Sequence, residues 1–311
     1  MKLSIFKYMF KIPDLRKRII FTLLMFGVYR LGAAVPVPGV DLEAVQRLTE
    51  SGTQAGIYGL LNLFSGGALE TFSVFALGIM PYITSSIILQ LLTVVIPRLQ
   101  KLQEEGESGR KVITQWTRYL TVVLALLQST GLTYIFSRGS LTGGISLIPN
   151  YTPSRVGLIV LTMTAGTAFI MWLGELISQR GIGNGMSLII FASIISQLPA
   201  SFGGAYQVTA GQGRIGQFSV LVFMFFLMIV GIIYVEQGQR RIPIQFAKRV
   251  RGRKVMGGQS TYIPLKVNSA GVIPVIFATS VLFFPALIAT SLPQDNRITA
   301  GIRNWIDVNL A

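Results

Sequence analysis

FSVLVFMFFLMIVGIIYV, residues 218–235, is the stretch that decides the class of this protein. No charged side chain interrupts it. A helix needs about 20 predominantly apolar residues to cross the hydrocarbon core of a bilayer, so this run is long enough to span it. The stretch therefore predicts a transmembrane helix.

The composition of the 311 residues agrees with a membrane protein. Apolar residues make up 51% of the chain and charged residues 13%, about half the roughly 25% typical of soluble domains. There is no cysteine and no histidine, which excludes disulfides, thiol nucleophiles, histidine acid–base chemistry and zinc sites of the usual kind. We therefore expect no enzyme, no cofactor and no metal site.

Seven apolar stretches in all predict transmembrane helices, the first of them short. The first carries Arg30 near its far end, where a long side chain can reach the membrane surface. No cleavage site of small residues follows this stretch, so we expect a first span and not a signal peptide. The predicted spans are residues 19–34, 74–96, 119–136, 156–174, 186–202, 218–235 and 270–290.

Basic residues are unevenly distributed between the predicted loops. With a cytoplasmic N-terminus, the cytoplasmic segments hold 20 of the 27 Lys and Arg residues, while the 12 acidic residues divide equally between the two sides. Cytoplasmic loops of membrane proteins are enriched in Lys and Arg. The pattern predicts a cytoplasmic N-terminus and, after seven spans, an external C-terminus. The cytoplasmic segments are 1–18, 97–118, 175–185 and 236–269.

Residues 60–73, in the external loop before the second span, are apolar but too few to cross a bilayer. They lead directly into a span interrupted by Gly78 and Pro81. Two interpretations are open. The segment is either a re-entrant half-helix whose backbone is covered by protein or an aqueous cavity, or an amphipathic helix on the outer membrane surface.

The cytoplasmic loop 236–269 is long and basic, with seven Lys and Arg residues between positions 240 and 254. Apolar residues alternate with other types in part of it, a pattern typical of a hairpin. The charge serves either to attract anionic lipid, worth about 1 kcal/mol per basic residue, or to dock RNA phosphate or an acidic protein face.

The pattern G-apolar-apolar-P-x-I occurs twice, at 78–83 and 271–276, in spans that cross in opposite directions. Inverted pairs of Gly/Pro-interrupted spans indicate a transport path between two repeats, and chance similarity is the alternative. Isoleucines and one methionine at helical spacing in the second, fifth and seventh spans form either ordinary core or a hydrophobic constriction. Charged residues lie only near span ends, which argues against an ion pump or proton-coupled carrier.

Six motifs between about residues 13 and 290 resemble those of a known family, and they occur in the same order and with the same spacing. They are FSGGAL (64–69), FALGIMPYI (75–83), EGESGR (105–110), GIGNGMSLIIF (181–191), QRRIP (239–243) and QSTYIPLKVN (259–268). They resemble the SecY family, the central pore subunits of the bacterial Sec protein translocon.

The resemblance implies an all-α polytopic clamshell of two inverted five-helix halves. We expect an N-terminal half at 1–217, with a plug at 60–73, and a C-terminal half at 218–311 with a docking loop at 236–269. This second half is expected to be incomplete, because the family has three further spans. The implied function is a protein-conducting channel that passes unfolded polypeptides across the membrane and releases hydrophobic segments sideways. An inverted-repeat small-solute transporter is the alternative.

The resemblance also assigns site residues. The pore ring comprises Ile79, Ile83, Met186, Ile190 and Ile276. The plug includes Asn62, Phe64, Ser65, Gly66, Gly67 and Leu69. Docking residues are Arg240, Arg241, Lys248, Arg249, Arg251, Arg253 and Lys254. The lateral gate includes Ser86, Gln90, Gln128 and Thr279.

The implied partners are the small membrane subunits SecE and SecG, the SecA motor, the ribosome with its RNA and exit-tunnel proteins, signal sequences, nascent chains and anionic lipids. No small-molecule substrate is expected. The sequence contains no P-loop, so the driving force must come from a partner. The implied location is the bacterial cytoplasmic membrane.

Overall fold

The structure is a computed structural model that describes residues 11–41, 43–45, 65–138, 148, 151–211, 213–244, 249–251, 254–256, 261–268, 271 and 278. Within these residues the helices are α1 (Pro13–Ala34), α2 (Met80–Val95), α3 (Pro97–Glu104), α4 (Glu107–Arg138), α5 (Pro153–Arg180), α6 (Gly185–Gly211) and α7 (Ile215–Gln237). The strands are β1 (Gln239–Ile244), β2 (Arg249–Arg251), β3 (Lys254–Met256) and β4 (Thr261–Lys266).

Proline lies in the first turn of four helices, at Pro13, Pro81, Pro97 and Pro153. The first N–H groups of a helix have no partner inside it, so a residue without an N–H is tolerated there. Pro97 also separates α2 from α3, which are bent by 102° relative to one another. The helix that follows the turn segment therefore ends at Val95, one residue before the predicted end of the second span.

Four helices in the described part of the chain are long and apolar enough to cross a membrane, namely α4, α5, α6 and α7. Counting the bent pair of α2 and α3 as one span gives five. The first predicted span forms α1. Every run of 18 residues in α1 contains at least three charged side chains, so α1 is not counted among the helices that are apolar enough to cross a membrane. The seventh predicted span lies almost entirely outside the described residues.

Ser65 is helical, and residues 66–79, here called the turn segment, form a series of turns instead of a helix, which corrects two predictions. The helix of the second span begins at Met80, so the first six residues of the predicted span 74–96 are irregular. Neither helical interpretation of 60–73 holds for residues 66–73. Residues 60–64 lie outside the described residues.

The turn segment has backbone partners outside itself, which explains why it does not continue the helix. Val37 N–H donates to Phe72 C=O at 3.0 Å, and Val74 N–H donates to Val35 C=O at 2.9 Å. Gly78 has a φ of +57° immediately before α2, a conformation that glycine adopts without steric cost. These contacts tie the turn segment to the chain that follows α1.

The turn segment also lies at the centre of the core of the first compact unit, whose described part is mainly residues 11–199. Four of its side chains join a buried cluster with α4 and α5, and three join a second cluster with α1, α5 and α6. Its backbone polar groups must be paired at such a depth. The two sets are Leu69, Phe72, Ala76 and Leu77, and Ala68, Phe75 and Ile79.

The second compact unit, residues 200–275, contains the end of α6, α7 and the strands. No side chain of α7 is buried. Strand β1 pairs antiparallel with β4, and β2 pairs antiparallel with β3. The predicted hairpin in the loop 236–269 is thus confirmed. The predicted division into halves at residue 218 stays a prediction.

Candidate functional site

The described part of the predicted plug, residues 65–73, is held by polar side chains of α1 and α6. Tyr29 of α1 donates its hydroxyl proton to Ser65 C=O at 3.1 Å. The same hydroxyl lies 2.7 Å from Ser193 Oγ on α6. Tyr29, Ser65 and Ser193 are each buried, and a buried polar group costs free energy unless it is hydrogen-bonded. The three groups therefore satisfy one another.

Arg30 adds a charged contact beside them. Its guanidinium donates to Gly66 C=O at 2.9 Å and to Ser196 Oγ at 3.2 Å. A cavity of about 600 Å³ lies on this side of the segment and is lined by Arg30, Glu70 and Gln197 among others. Thus α1 side chains bind the main chain of the plug at its first two described residues, and α6 serines bind those same α1 side chains.

Two glycines allow the plug backbone to approach α6 this closely. Gly66 and Gly67 have φ values of +68° and +84°, which most L-residues avoid. A Cβ on Gly66 would lie 3.0 Å from Ser193 Cα and 3.2 Å from Tyr29 Oη, while one on Gly67 would collide with the Gln197 side chain. Backbone conformation therefore favours glycine at both positions, and at Gly66 the available space does so as well.

The predicted pore-ring residues that the structure describes lie around one buried cluster. Ile79 is 1% exposed and belongs to this cluster. Ile83, Met186 and Ile190 are partly buried and pack against it. The structure therefore brings α2 and α6 residues together just after the plug. Ile276 lies outside the described residues.

The predicted lateral-gate residues lie on two helices that pack together, α2 and α4. Ser86 is half-buried and Gln90 is exposed, both on α2. Gln128 on α4 is buried, at 5% exposure. Thr279 lies outside the described residues.

The five predicted docking residues that the structure describes lie in the strands. Arg240 and Arg241 are exposed on β1, and the guanidinium of Arg241 lies 4.8 Å from the ring centroid of Tyr262 on β4. In the second hairpin the register pairs Arg251 with Lys254. The remaining assigned positions of the loop are Arg249, which is in β2, and Lys248 and Arg253, which lie outside the described residues.

Comparison with known proteins identifies the family. The SecY family model matches residues 73–310. The chain belongs to the SecY family. Two relatives, both protein translocase subunits SecY, are those of Streptomyces scabiei, 50% identical over 314 residues, and Streptomyces coelicolor, 52% identical over 319 residues. In each case the alignment covers 99% of this chain and 71% of the relative.

Solved structures agree at the level of the fold. One described as a protein-conducting channel has a TM-score of 0.61 at 18% identity, covering 95% of this chain and 64% of that one. A SecY structure whose plug domain is described as stabilising the closed state has a TM-score of 0.59 at 19% identity, covering 93% and 60%. Sec61 in a canine ribosome–channel complex has a TM-score of 0.59 at 18% identity, and the match covers 95% of this chain and 64% of that one. The chain thus spans less than two thirds of these channels.

Membership of the SecY family confirms the resemblance found in the sequence and does not favour the small-solute transporter. The SecY motifs did not indicate the partners of Arg30, nor the roles of Tyr29, Ser193 and Ser196. One signal was present, because an arginine inside an apolar span is costly without hydrogen-bond partners. Its partners lie 36 and 166 residues away, which no local pattern reveals.

Proposed function

We propose that this chain forms the pore of a protein-conducting channel in the bacterial cytoplasmic membrane. In this proposal the segment 60–73 is the plug, and the apolar residues that follow it form a ring that closes around the pore. The observation that carries the proposal is the position of the turn segment. It is buried among α1, α4, α5 and α6 and leads directly into the helix that contains Ile83.

The closed channel excludes ions by two means. A hydrophobic constriction offers an ion no groups to replace its hydration shell. The constriction therefore stays free of water and does not conduct ions. Ile79, Ile83 and Ile190 supply such side chains, and Met186 is apolar and easily deformed. The plug lies beside them, and two of its backbone oxygens are paired with α1 side chains that α6 in turn binds, which supports a stable closed state.

Opening requires a ligand that binds the open state better than the closed one. A hydrophobic signal segment meets this requirement if it enters the seam beside α2 and α4, where Ser86, Gln90 and Gln128 lie. Hydrogen bonds between membrane helices are weak, about 0.6 kcal/mol on average. A seam of this kind separates at low cost, and hydrophobic segments leave through it into lipid.

The exposed arginines of β1 supply a docking surface for a partner that drives transport. We assign this role to the ribosome or the SecA motor. The arginine side chains of the hairpin formed by β1 and β4 are exposed, and their positive charge attracts the phosphate or carboxylate groups of such a partner. SecE and SecG complete the assembly, and the hairpin arginines also contact anionic lipid. The substrates are nascent chains and signal sequences.

A disulfide that locks the plug tests this function. The chain has no cysteine, so the double variant Gly66→Cys with Ser193→Cys can form a single disulfide. A Cβ on Gly66 would lie 3.2 Å from Ser193 Cβ, close to the roughly 3.5–4.5 Å of a disulfide. In membrane vesicles containing the assembled channel, oxidation is expected to stop translocation of a secretory protein, and reduction to restore it.

The two single-cysteine variants treated with the same oxidant are the controls. Both should continue to transport, and Gly66→Cys should also raise the resting ion current, because any side chain at this position strains the closed plug. Continued translocation by the oxidised double variant, with the disulfide verified by mass spectrometry, would show that polypeptide does not pass the plug.

A further inference from the structure

We propose that Tyr29, Arg30, Ser193 and Ser196 form a plug latch, a set of hydrogen bonds that holds the plug closed and exchanges partners when the plug leaves. This inference rests on the proposed function, because it assumes that the segment 60–73 is a movable plug. It adds positioning residues that lie outside the plug and outside the predicted ring.

Two hydrogen bonds of the latch to the plug end on main-chain oxygens. Tyr29 reaches Ser65 C=O, and Arg30 reaches Gly66 C=O, at 3.1 Å and 2.9 Å. Contacts to main-chain oxygens do not depend on the plug's side chains. They do require the plug backbone to lie close to α1 and α6, and Gly66 and Gly67 permit this approach.

The tyrosine part of the latch has fewer hydroxyl protons than hydrogen-bonding contacts. Three hydrogen-bonding distances involve two hydroxyl protons: Tyr29 Oη to Ser65 C=O at 3.1 Å, Tyr29 Oη to Ser193 Oγ at 2.7 Å, and Ser193 Oγ to Ile189 C=O at 2.9 Å. A hydroxyl has one proton to donate. Only two of the three contacts can therefore contain a hydroxyl proton at any one time.

With the plug in place, Ser193 donates to Tyr29, and Tyr29 donates to Ser65 C=O. When the plug leaves, Tyr29 donates to Ser193 instead, and Ser193 donates to Ile189 C=O. The 2.7 Å contact between the two hydroxyls persists with its direction reversed. The buried hydroxyl of Tyr29 thus keeps a partner in both states, and the cost of leaving a buried donor unpaired does not arise.

Arg30 supplies the charged part of the latch. A guanidinium has five N–H donors, and hydrogen bonds from charged donors are stronger than neutral ones. After release of the plug, Arg30 retains Ser196 Oγ, and the cavity of about 600 Å³ beside it, which is lined in part by Gly66 and Gly67 of the plug, opens into the space that the plug leaves. The side chain therefore loses its bond to Gly66 C=O without losing its bond to Ser196.

The latch is tested by the chemical accessibility of the plug in the assembled, membrane-embedded channel. Ala68 is fully buried in the plug and Ala125 is 1% exposed on α4, and the chain lacks other thiols. Ala68→Cys reports plug release through its labelling rate with a membrane-impermeant maleimide added on the external side. Ala125→Cys is the matched reporter for general loosening of the core.

Tyr29→Phe is expected to raise the labelling rate of the plug cysteine roughly 2- to 10-fold, the value of one neutral hydrogen bond. Arg30→Gln is expected to raise it roughly 10- to 100-fold. Ser193→Ala is expected to lower it, because Tyr29 then loses its partner in the open state. Tyr119→Phe, which removes a hydroxyl bonded to Gln115 in the same helix, should leave it unchanged.

An unchanged rate in both Tyr29→Phe and Arg30→Gln would overturn the latch, as would an equal rise at Ala125→Cys. A rate in Ser193→Ala equal to or above that of the parent would overturn the proton exchange. The labelling does not depend on transport. A failure of the proposed function, seen as transport through a disulfide-locked plug, is therefore distinguishable from a failure of the latch.

Discussion

Replacing Gly66 by alanine should release the plug, and the structure gives the size of the effect. Gly66 has a φ of +68°, which costs an L-residue about 1 kcal/mol or more. The new Cβ would lie 3.2 Å from Tyr29 Oη and 3.0 Å from Ser193 Cα. Moving Tyr29 away weakens its bond to the plug by up to about 1 kcal/mol. The sum of about 2 kcal/mol predicts a roughly 30-fold rise in plug release.

The assay is the ion current through resting channels in a planar bilayer without substrate. Gly183→Ala is the matched control, because Gly183 has a φ of +66° and no neighbouring atom within 4 Å of its added Cβ. It introduces the same backbone strain in the turn between α5 and α6, away from the plug. Equal currents in the Gly66 and Gly183 variants would refute the argument that a close fit at Gly66 keeps the plug in place.

Three further predictions concern the ring, the docking surface and the helix packing. Ile83→Asn should raise the resting ion current, because a polar side chain favours water in the throat; an unchanged current would remove Ile83 from the ring. Arg241→Glu should weaken ribosome or SecA binding, with a loss that shrinks as salt rises from roughly 50 to 500 mM; co-sedimentation at both salt concentrations measures it, and equal binding contradicts it. Arg118 and Glu175 form a bidentate ion pair between α4 and α5 at 2.7 and 2.6 Å. Because Arg118 is 45% exposed, a double-mutant cycle of Arg118→Gln and Glu175→Gln on thermal unfolding in detergent should give a coupling of about 1 kcal/mol or less, and clearly more would show that the pair is screened from water.

Much of the fold could be predicted from the sequence, because apolar length and charge placement report directly on the bilayer. The centre of each of the spans from 119–136 to 218–235 lies inside a helix of the structure. The alternation of residue types in 236–269 also gave the correct hairpin, since a period of two is a property of strands.

The turn segment could not be predicted in the same way. Residues 66–79 have the apolar character expected of a membrane-spanning helix. Their conformation is nevertheless decided by partners elsewhere in the chain, such as Val35 and Val37. The latch is a still longer-range feature, because it joins Tyr29 to Ser193 across 164 residues. A hydropathy pattern carries no information about which distant backbone oxygen an arginine will contact.

The central claim is that polypeptide moves through the interior of this chain, past the ring. Its most direct test is photo-cross-linking of a translocation intermediate, stalled in the assembled channel, to probes attached at single cysteines. Probes at Ile83 and Ile190 are expected to cross-link to the stalled chain. Probes at Leu23 and Val230, which are 61% and 63% exposed and which this account places on the outside of the channel, are expected not to. Cross-links at Leu23 and Val230, with none at the two isoleucines, would contradict the account.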